Sequence, residues 1–186
     1  MTMYKTITKI VITICFITIY NIAHTQQNGN DSIDNSRGYI VKLGDIPENI
    51  EFNLIDGSTT SLDALKGKIV VLQFTASWCS VCRKEMPHLE KEVWQRFKNE
   101  DFILIGVDYN EPLEKVIGFK NQMKVTYPMA LDPDAIIFQK FAHKKSGVTR
   151  NIVLNKEGKI VFLTRLYDPK EFQQMVDKIE ALLDLN

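Results

Sequence analysis

Cys79 and Cys82, in the run Cys79-Ser80-Val81-Cys82, are the side chains of this 186-residue chain best suited to covalent chemistry. Residues three apart on a helix share a face, so the two sulfurs can meet and close a small ring. Just before them, Ile69-Val70-Val71-Leu72-Gln73-Phe74 is a nearly unbroken apolar run, as expected of a central strand covered on both faces. After them, Met86, Leu89, Val93, Trp94 and Phe97 recur at helical spacing, with charged residues on the other face. The pair therefore sits at a strand-to-helix junction. The first turn of a helix carries unpaired N–H groups and the positive end of the peptide dipole, both of which favour an anion. A thiolate at Cys79 is that anion, and its pKa is expected to fall below the free-thiol value of about 8.5. Such a dithiol attacks a disulfide, forms a mixed disulfide and is resolved by its neighbour. Cys79 is expected to be the exposed nucleophile and Cys82 the more buried resolving thiol. A structural disulfide is the alternative, although such bonds usually close longer loops. Zinc usually takes four ligands, and no second cysteine pair is present to supply them.

The elements that would position this pair form one α/β domain over residues 39–186. Ile50–Ile55 alternates apolar and polar residues like a half-buried strand, and Asp56-Gly57 turns it. Ser61 is expected to cap a short helical turn through Leu62 and Leu65 that ends at Gly67. Phe102–Val107 reads as a second buried strand. Between the two buried strands runs the long helix, which Pro87 should kink because its ring clashes with the carbonyl four residues back. Helices are expected over Leu113–Met123 and Ala135–Phe141, a hairpin over Ile152–Leu154 and Ile160–Leu163, and a closing helix from near Pro169. This order implies a mixed sheet with helices on both faces.

Lysine plus arginine and aspartate plus glutamate each total 23, so no basic excess points to nucleic acid. Six prolines, nine glycines and three cysteines exclude collagen, low-complexity and knottin-like scaffolds. Lys5 and Lys9 precede an apolar run from Ile10 to Tyr20, and Ala23-His24-Thr25 offers a small-residue exit. Residues 1–25 thus read as a signal peptide, and residues 26–38 as a flexible polar linker. The run is short of the roughly 20 residues that span a bilayer. Membrane contact is expected only if residues 7–23 remain as an uncleaved anchor. Cleavage would leave 21 basic against 23 acidic residues, and Cys79 and Cys82 as the whole cysteine complement. An exported chain meets conditions in which disulfides persist, so a periplasmic or otherwise extracytoplasmic setting is expected.

From Gly67 to Pro87, including Phe74-Thr75-Ala76-Ser77-Trp78-Cys79-Ser80-Val81-Cys82-Arg83-Lys84-Glu85-Met86-Pro87, the sequence resembles thioredoxin-like thiol:disulfide oxidoreductases of the TlpA/ResA type, within the AhpC/TSA–Redoxin-like superfamily. The similarity runs from about Gly44 to the C-terminus and takes in Asp56-Gly57, Leu62 and Leu154-Asn155-Lys156-Glu157-Gly158. It implies a thioredoxin fold with a central mixed β-sheet flanked by helices on both faces. It also implies a glutamate that assists proton transfer three residues after the second cysteine, which here is Glu85. A carboxylate there can take the proton from Cys82 as it attacks the mixed disulfide; the plainer reading is a solvated glutamate paired with a lysine. Trp78, Val148 and Thr149 are the implied substrate-docking residues. Most relatives carry a cis-proline where this sequence has Thr149, which leaves the local loop geometry open. Losing that ring is expected to open space beside the sulfurs, for a substrate or a metal. Trp78 is alternatively plain core, His88 and His143 read as surface residues, and Arg150 as a surface charge or partner contact.

The leading expectation is an extracytoplasmic thiol-disulfide oxidoreductase, reductant-leaning because no cation sits between the cysteines, and a monomer. Its partners are protein thiols or disulfides and an upstream dithiol electron donor. No cofactor beyond the Cys79–Cys82 disulfide and no metal is expected. Two other classes share the fold. A Sco-like copper-binding assembly factor uses cysteines one residue wider apart than these. A thiol peroxidase of the peroxiredoxin type has Pro-x-x-x-Thr-x-x-Cys, whereas Thr75 here stands four residues before Cys79.

Overall fold

The computed structural model describes residues 37–184. The expected leader, and all of the expected linker but Arg37 and Gly38, lie outside the described residues. Seven strands form one mixed sheet: β1 (Glu51–Leu54), β2 (Thr59–Ser61), β3 (Ile69–Thr75), β4 (Phe102–Tyr109), β5 (Met129–Asp132), β6 (Arg150–Leu154) and β7 (Ile160–Leu163), in the order β2-β1-β5-β4-β3-β6-β7. β3 runs parallel to β4, and β4 to β5; the remaining pairs are antiparallel. Every residue of β3 is buried, as its continuous apolar run requires of a strand with neighbours on both sides.

Alternation along the strands divides the core in two. Val70, Leu72, Phe74, Ile105, Val107, Ile152 and Leu154 face one side; Ile69, Val71, Phe102, Leu104 and Val153 face the other. The second side is covered by the long helical segments, which bury Met86, Leu89, Val93, Val116, Phe119, Phe172, Met175 and Ile179 against it. These segments are α1 (Ser80–His88), continued by a π-helical turn (Leu89–Trp94) and α2 (Gln95–Phe97), then α3 (Leu113–Met123) and α4 (Pro169–Leu183). The first side is closed by short 3-10 turns and by the chain around Tyr39 and Ile50. Helical segments thus lie on both faces, the long ones gathered on one.

Three local readings change. The kink expected at Pro87 takes the form of the π turn that begins two residues later; proline cannot donate to the Arg83 carbonyl, and the ladder widens beyond that gap. Ser61 ends a strand as well as capping a turn, its Oγ accepting from the Ala64 N–H at 3.2 Å. The expected helix over Ala135–Phe141 is instead two 3-10 turns, Pro133–Ala135 and Phe138–Lys140. Asp134 and Ala135 have φ of 58° and 56°, outside any right-handed helix, and the Asp132 carboxylate takes the N–H groups of Ile137 and Phe138 instead. β2 and β5, each of three or four residues, were not expected at all.

Candidate active site

The strand β3 delivers the chain to the site, and the loop Ala76–Cys79 turns it into α1. Glu111 holds this loop from one side, its Oε2 accepting from the Ser77 N–H at 2.5 Å and its Oε1 from the Ser77 hydroxyl at 2.7 Å. Arg83 holds it from the other, donating to the Ser77 carbonyl at 2.7 Å while its guanidinium lies 5.0 Å from the Phe119 ring centre. Between these two anchors Trp78 is turned outward and is 62% exposed, touching Tyr109 edge to face. The reading of Trp78 as plain core therefore does not hold.

Cys79 is the N-cap of α1, and its sulfur accepts the N–H of Cys82 at 3.1 Å. A helix start that uses sulfur as its capping acceptor stabilises that sulfur most when it is an anion. Cys79 and Cys82 are joined as a disulfide, with Cα atoms 5.3 Å apart. Cys79 is 8% exposed and Cys82 is sealed at 0%, so the nucleophile expected to be exposed is itself nearly buried, although it is the less covered of the two.

Glu85, one turn beyond Cys82, does not pair with a lysine in solvent. It is 1% exposed, and its Oε1 accepts from the Asn151 amide at 2.7 Å while Oε2 has no hydrogen-bond partner among the described residues. Burial pushes its pKa up to about 7, against the opposing pull of the Asn151 and Gln73 amides. Gln73 and Asn151 are register partners on β3 and β6. The Gln73 oxygen accepts from the Tyr127 hydroxyl at 2.8 Å, and the Thr164 hydroxyl accepts from both the backbone and side-chain N–H of Asn151. The carboxyl thus lies against a small buried polar layer inside an otherwise apolar core. Sequence reasoning missed Gln73 and Asn151, although each is a polar interruption in a strand.

Thr149 stands directly beside the disulfide. Its Oγ1 is 3.0 Å from the Cys79 sulfur and 3.2 Å from the Cys82 sulfur, and the residue is 2% exposed. The space expected to open where relatives carry a proline is occupied by this hydroxyl. Val148 is buried in the same core cluster as both cysteines, so its side chain is not displayed to a partner. Arg150, expected at the surface, is fully buried: it donates to the carbonyls of Arg37, Ser146 and Gly147 and lies 4.5 Å from the Tyr39 ring centre. It ties the chain just before Thr149 into place. Also missed was Asp108 on β4, which is buried, has no hydrogen-bond partner for either oxygen among the described residues, and has its pKa raised to about 7, first by burial and then by Glu111.

His88 pairs with Glu92 at 2.7 Å and stacks on Tyr167. No group of three metal-ligating side chains comes together among the described residues.

The sequence profile of the Redoxin family matches residues 42–183. The chain belongs to the Redoxin family. It is 26% identical over 144 residues to the thiol-disulfide oxidoreductase ResA of Halalkalibacterium halodurans, covering 77% of this chain and 78% of that protein. It is 31% identical over 106 residues to ResA of Bacillus subtilis, covering 57% and 58%. Among solved structures, a candidate protein disulfide isomerase from Bacteroides thetaiotaomicron is 52% identical and superposes with a TM-score of 0.77, over 79% of this chain and 93% of that one. The family, its fold and the paired cysteines make this Redoxin chain a thiol-disulfide oxidoreductase with a thioredoxin fold.

Proposed function

We propose that this Redoxin protein reduces disulfides of other proteins outside the cytoplasm, with Cys79 attacking, Cys82 resolving and Glu85 moving the proton. The carrying observation is the division of labour at the pair. One sulfur caps a helix and belongs to the less covered residue of the pair; the other belongs to a fully sealed residue, with an acid of near-neutral pKa one turn away. In the dithiol form, the Cys79 thiolate attacks a substrate disulfide. A Cys79–substrate disulfide forms, and the first substrate sulfur leaves with the electron pair. Cys82 gives its proton to Glu85 and attacks the Cys79 sulfur; the Cys79–Cys82 bond forms and the second substrate thiolate departs. The pair is oxidised, the substrate is reduced, and an upstream dithiol restores the starting state. The buried surroundings of Cys82 support a reductant, since they leave the oxidised, uncharged pair at ease in an apolar core. The extracytoplasmic setting rests on the leader-like pattern of residues 1–25. No cofactor beyond the cysteine pair enters the scheme.

Equilibration with glutathione redox buffers tests direction and activity together. A reduction potential near −270 mV or below is expected, whereas one near −120 mV would make the protein an oxidant. Cys79→Ser should abolish insulin disulfide reduction. Full activity in that variant would overturn the reading.

A further inference from the structure

Thr149 is the only described side chain in hydrogen-bond reach of both sulfurs, its hydroxyl oxygen 3.0 Å from Cys79 and 3.2 Å from Cys82. A hydroxyl has one proton to donate and two lone pairs to accept with. Its rotor can therefore point the proton at either sulfur without moving the backbone. We infer that Thr149 is a catalytic residue of the exchange reaction: its hydroxyl donates to whichever of the two sulfurs carries negative charge, first Cys79 and then Cys82. The inference rests on the oxidoreductase mechanism proposed above and adds a participant to it.

The geometry supports it in three ways. Thr149 is 2% exposed, so water does not compete for the hydroxyl as it would at a surface. Its backbone is held on both sides: the Thr149 carbonyl accepts from the Leu166 N–H at 3.1 Å and from the Arg165 guanidinium at 3.3 Å. The residue that follows, Arg150, is anchored by the loop carbonyls of Ser146 and Gly147. The hydroxyl is therefore placed before the reaction begins, the condition under which a donor stabilises developing charge without reorganisation. A proline in this place has no donor to offer.

In the dithiol, the Thr149 O–H points at the Cys79 thiolate and its oxygen can accept from the Cys82 S–H. Attack on the substrate disulfide removes the charge from Cys79. When Cys82 loses its proton to Glu85, the hydroxyl turns to the Cys82 thiolate. The new Cys79–Cys82 bond then forms, the Cys79–substrate bond breaks and the substrate thiolate carries off the electron pair. The hydroxyl keeps its own proton throughout. Charged neighbours of the site are Glu85 beyond Cys82, Arg83 and Glu111 bonded to the loop before Cys79, Arg150 next to Thr149 and Arg165 behind it. None of them is altered by substitution at Thr149.

The test compares Thr149→Val, which keeps the shape and removes the donor, with Thr149→Ser, which keeps the donor and removes the methyl. The readouts are the Cys79 pKa, from alkylation rate against pH, and the glutathione equilibrium. A donor bound to a thiolate is a charge-assisted hydrogen bond, so its loss should raise the Cys79 pKa by about one unit. The equilibrium should shift about tenfold toward the disulfide, roughly 30 mV lower in potential, because the reduced form loses its stabilisation. Thr149→Ser should return both values to within about threefold of wild type. If Thr149→Val does not fold, Thr149→Ala removes the donor without adding a methyl and is read in the same way. Wild-type values in Thr149→Val, or a larger change in Thr149→Ser than in Thr149→Val, would show a packing role and overturn the inference while leaving the oxidoreductase reading intact. A wild-type protein that never exchanges with glutathione would overturn both.

Discussion

The thiol chemistry of Cys79 is visible in its position alone, yet the partner that tunes it most directly does not share its element. Spacing places Cys82 and Glu85 on the helix that Cys79 caps, because i to i+3 neighbours follow from helical geometry. Thr149, just before β6, is legible only through the family resemblance; Gln73 and Asn151 reach the site across the sheet, through strand register, which a single sequence does not reveal. What was legible in them was an oddity of type: a glutamine in an apolar run and an asparagine in a buried hairpin strand. Two predictions belong at this scale. Cys82→Ser should trap a mixed disulfide between Cys79 and substrate, because attack is intact and resolution is lost; nonreducing electrophoresis after mixing with a disulfide substrate checks it. Glu85→Gln should slow resolution by about ten- to a hundredfold near neutral pH. It should also remove the step near pH 7 from the rate profile, since an amide cannot take the Cys82 proton. A profile that keeps that step would assign it to another group.

At the scale of elements, sequence patterning located β1, β3, β4, the β6–β7 hairpin, α3 and α4, each marked by an apolar run or period with turn residues beside it. β2 has three residues, all polar, and β5 has four with no turn of its own to mark it. The chain over Asp132–Phe141 is shaped by one buried carboxylate gathering two N–H groups rather than by helix propensity. Packing between elements also explains why β4 carries a glycine at its centre. A Cβ on Gly106 would stand 3.1 Å from the Tyr127 ring, 3.3 Å from the Met129 side chain and 3.6 Å from the Gln73 oxygen. Tyr127 and Gln73 are hydrogen-bonded to each other, and Gln73 lies beside Glu85. Gly106→Ala should therefore destabilise the fold by about 1–3 kcal/mol through crowding. It should also disturb exchange kinetics out of proportion to that loss, which denaturant melts and insulin reduction measured together would reveal. Asp168 offers a contrasting case, since it caps α4 by accepting from the Glu171 N–H at 2.9 Å, away from the cysteines. Asp168→Ala should cost about 1 kcal/mol with exchange unchanged.

The whole molecule combines a mostly apolar sheet with a few carboxyls buried in it, and that combination sets how stability varies with pH. Glu85 and Asp108 are both pushed up to about 7 in the folded protein, from ordinary values of 4.5 and 3.8, and burial is the largest cause for each. Burial raises Asp132 in the same direction. A carboxyl whose folded pKa lies above its unfolded one holds an extra proton in the native state between the two values. Its stabilising contribution is complete below about pH 4 and is lost as the pH rises through 7. The carboxyls shifted the other way, Asp56, Glu90 and Glu111, titrate below their ordinary range, so their contributions are nearly complete by pH 5. Between pH 5 and pH 8 the buried pair therefore governs, and stability should fall by a few kcal/mol over that interval. The oxidised protein should melt at a higher temperature at pH 5.5 than at pH 8. Glu85→Gln and Asp108→Asn should each flatten part of that slope, by removing one titrating group. A melting temperature that climbs with pH over the same range would mean that these carboxyls are ionised in the folded protein throughout it, and a step near pH 7 in the rate profile would then have to be assigned to another group.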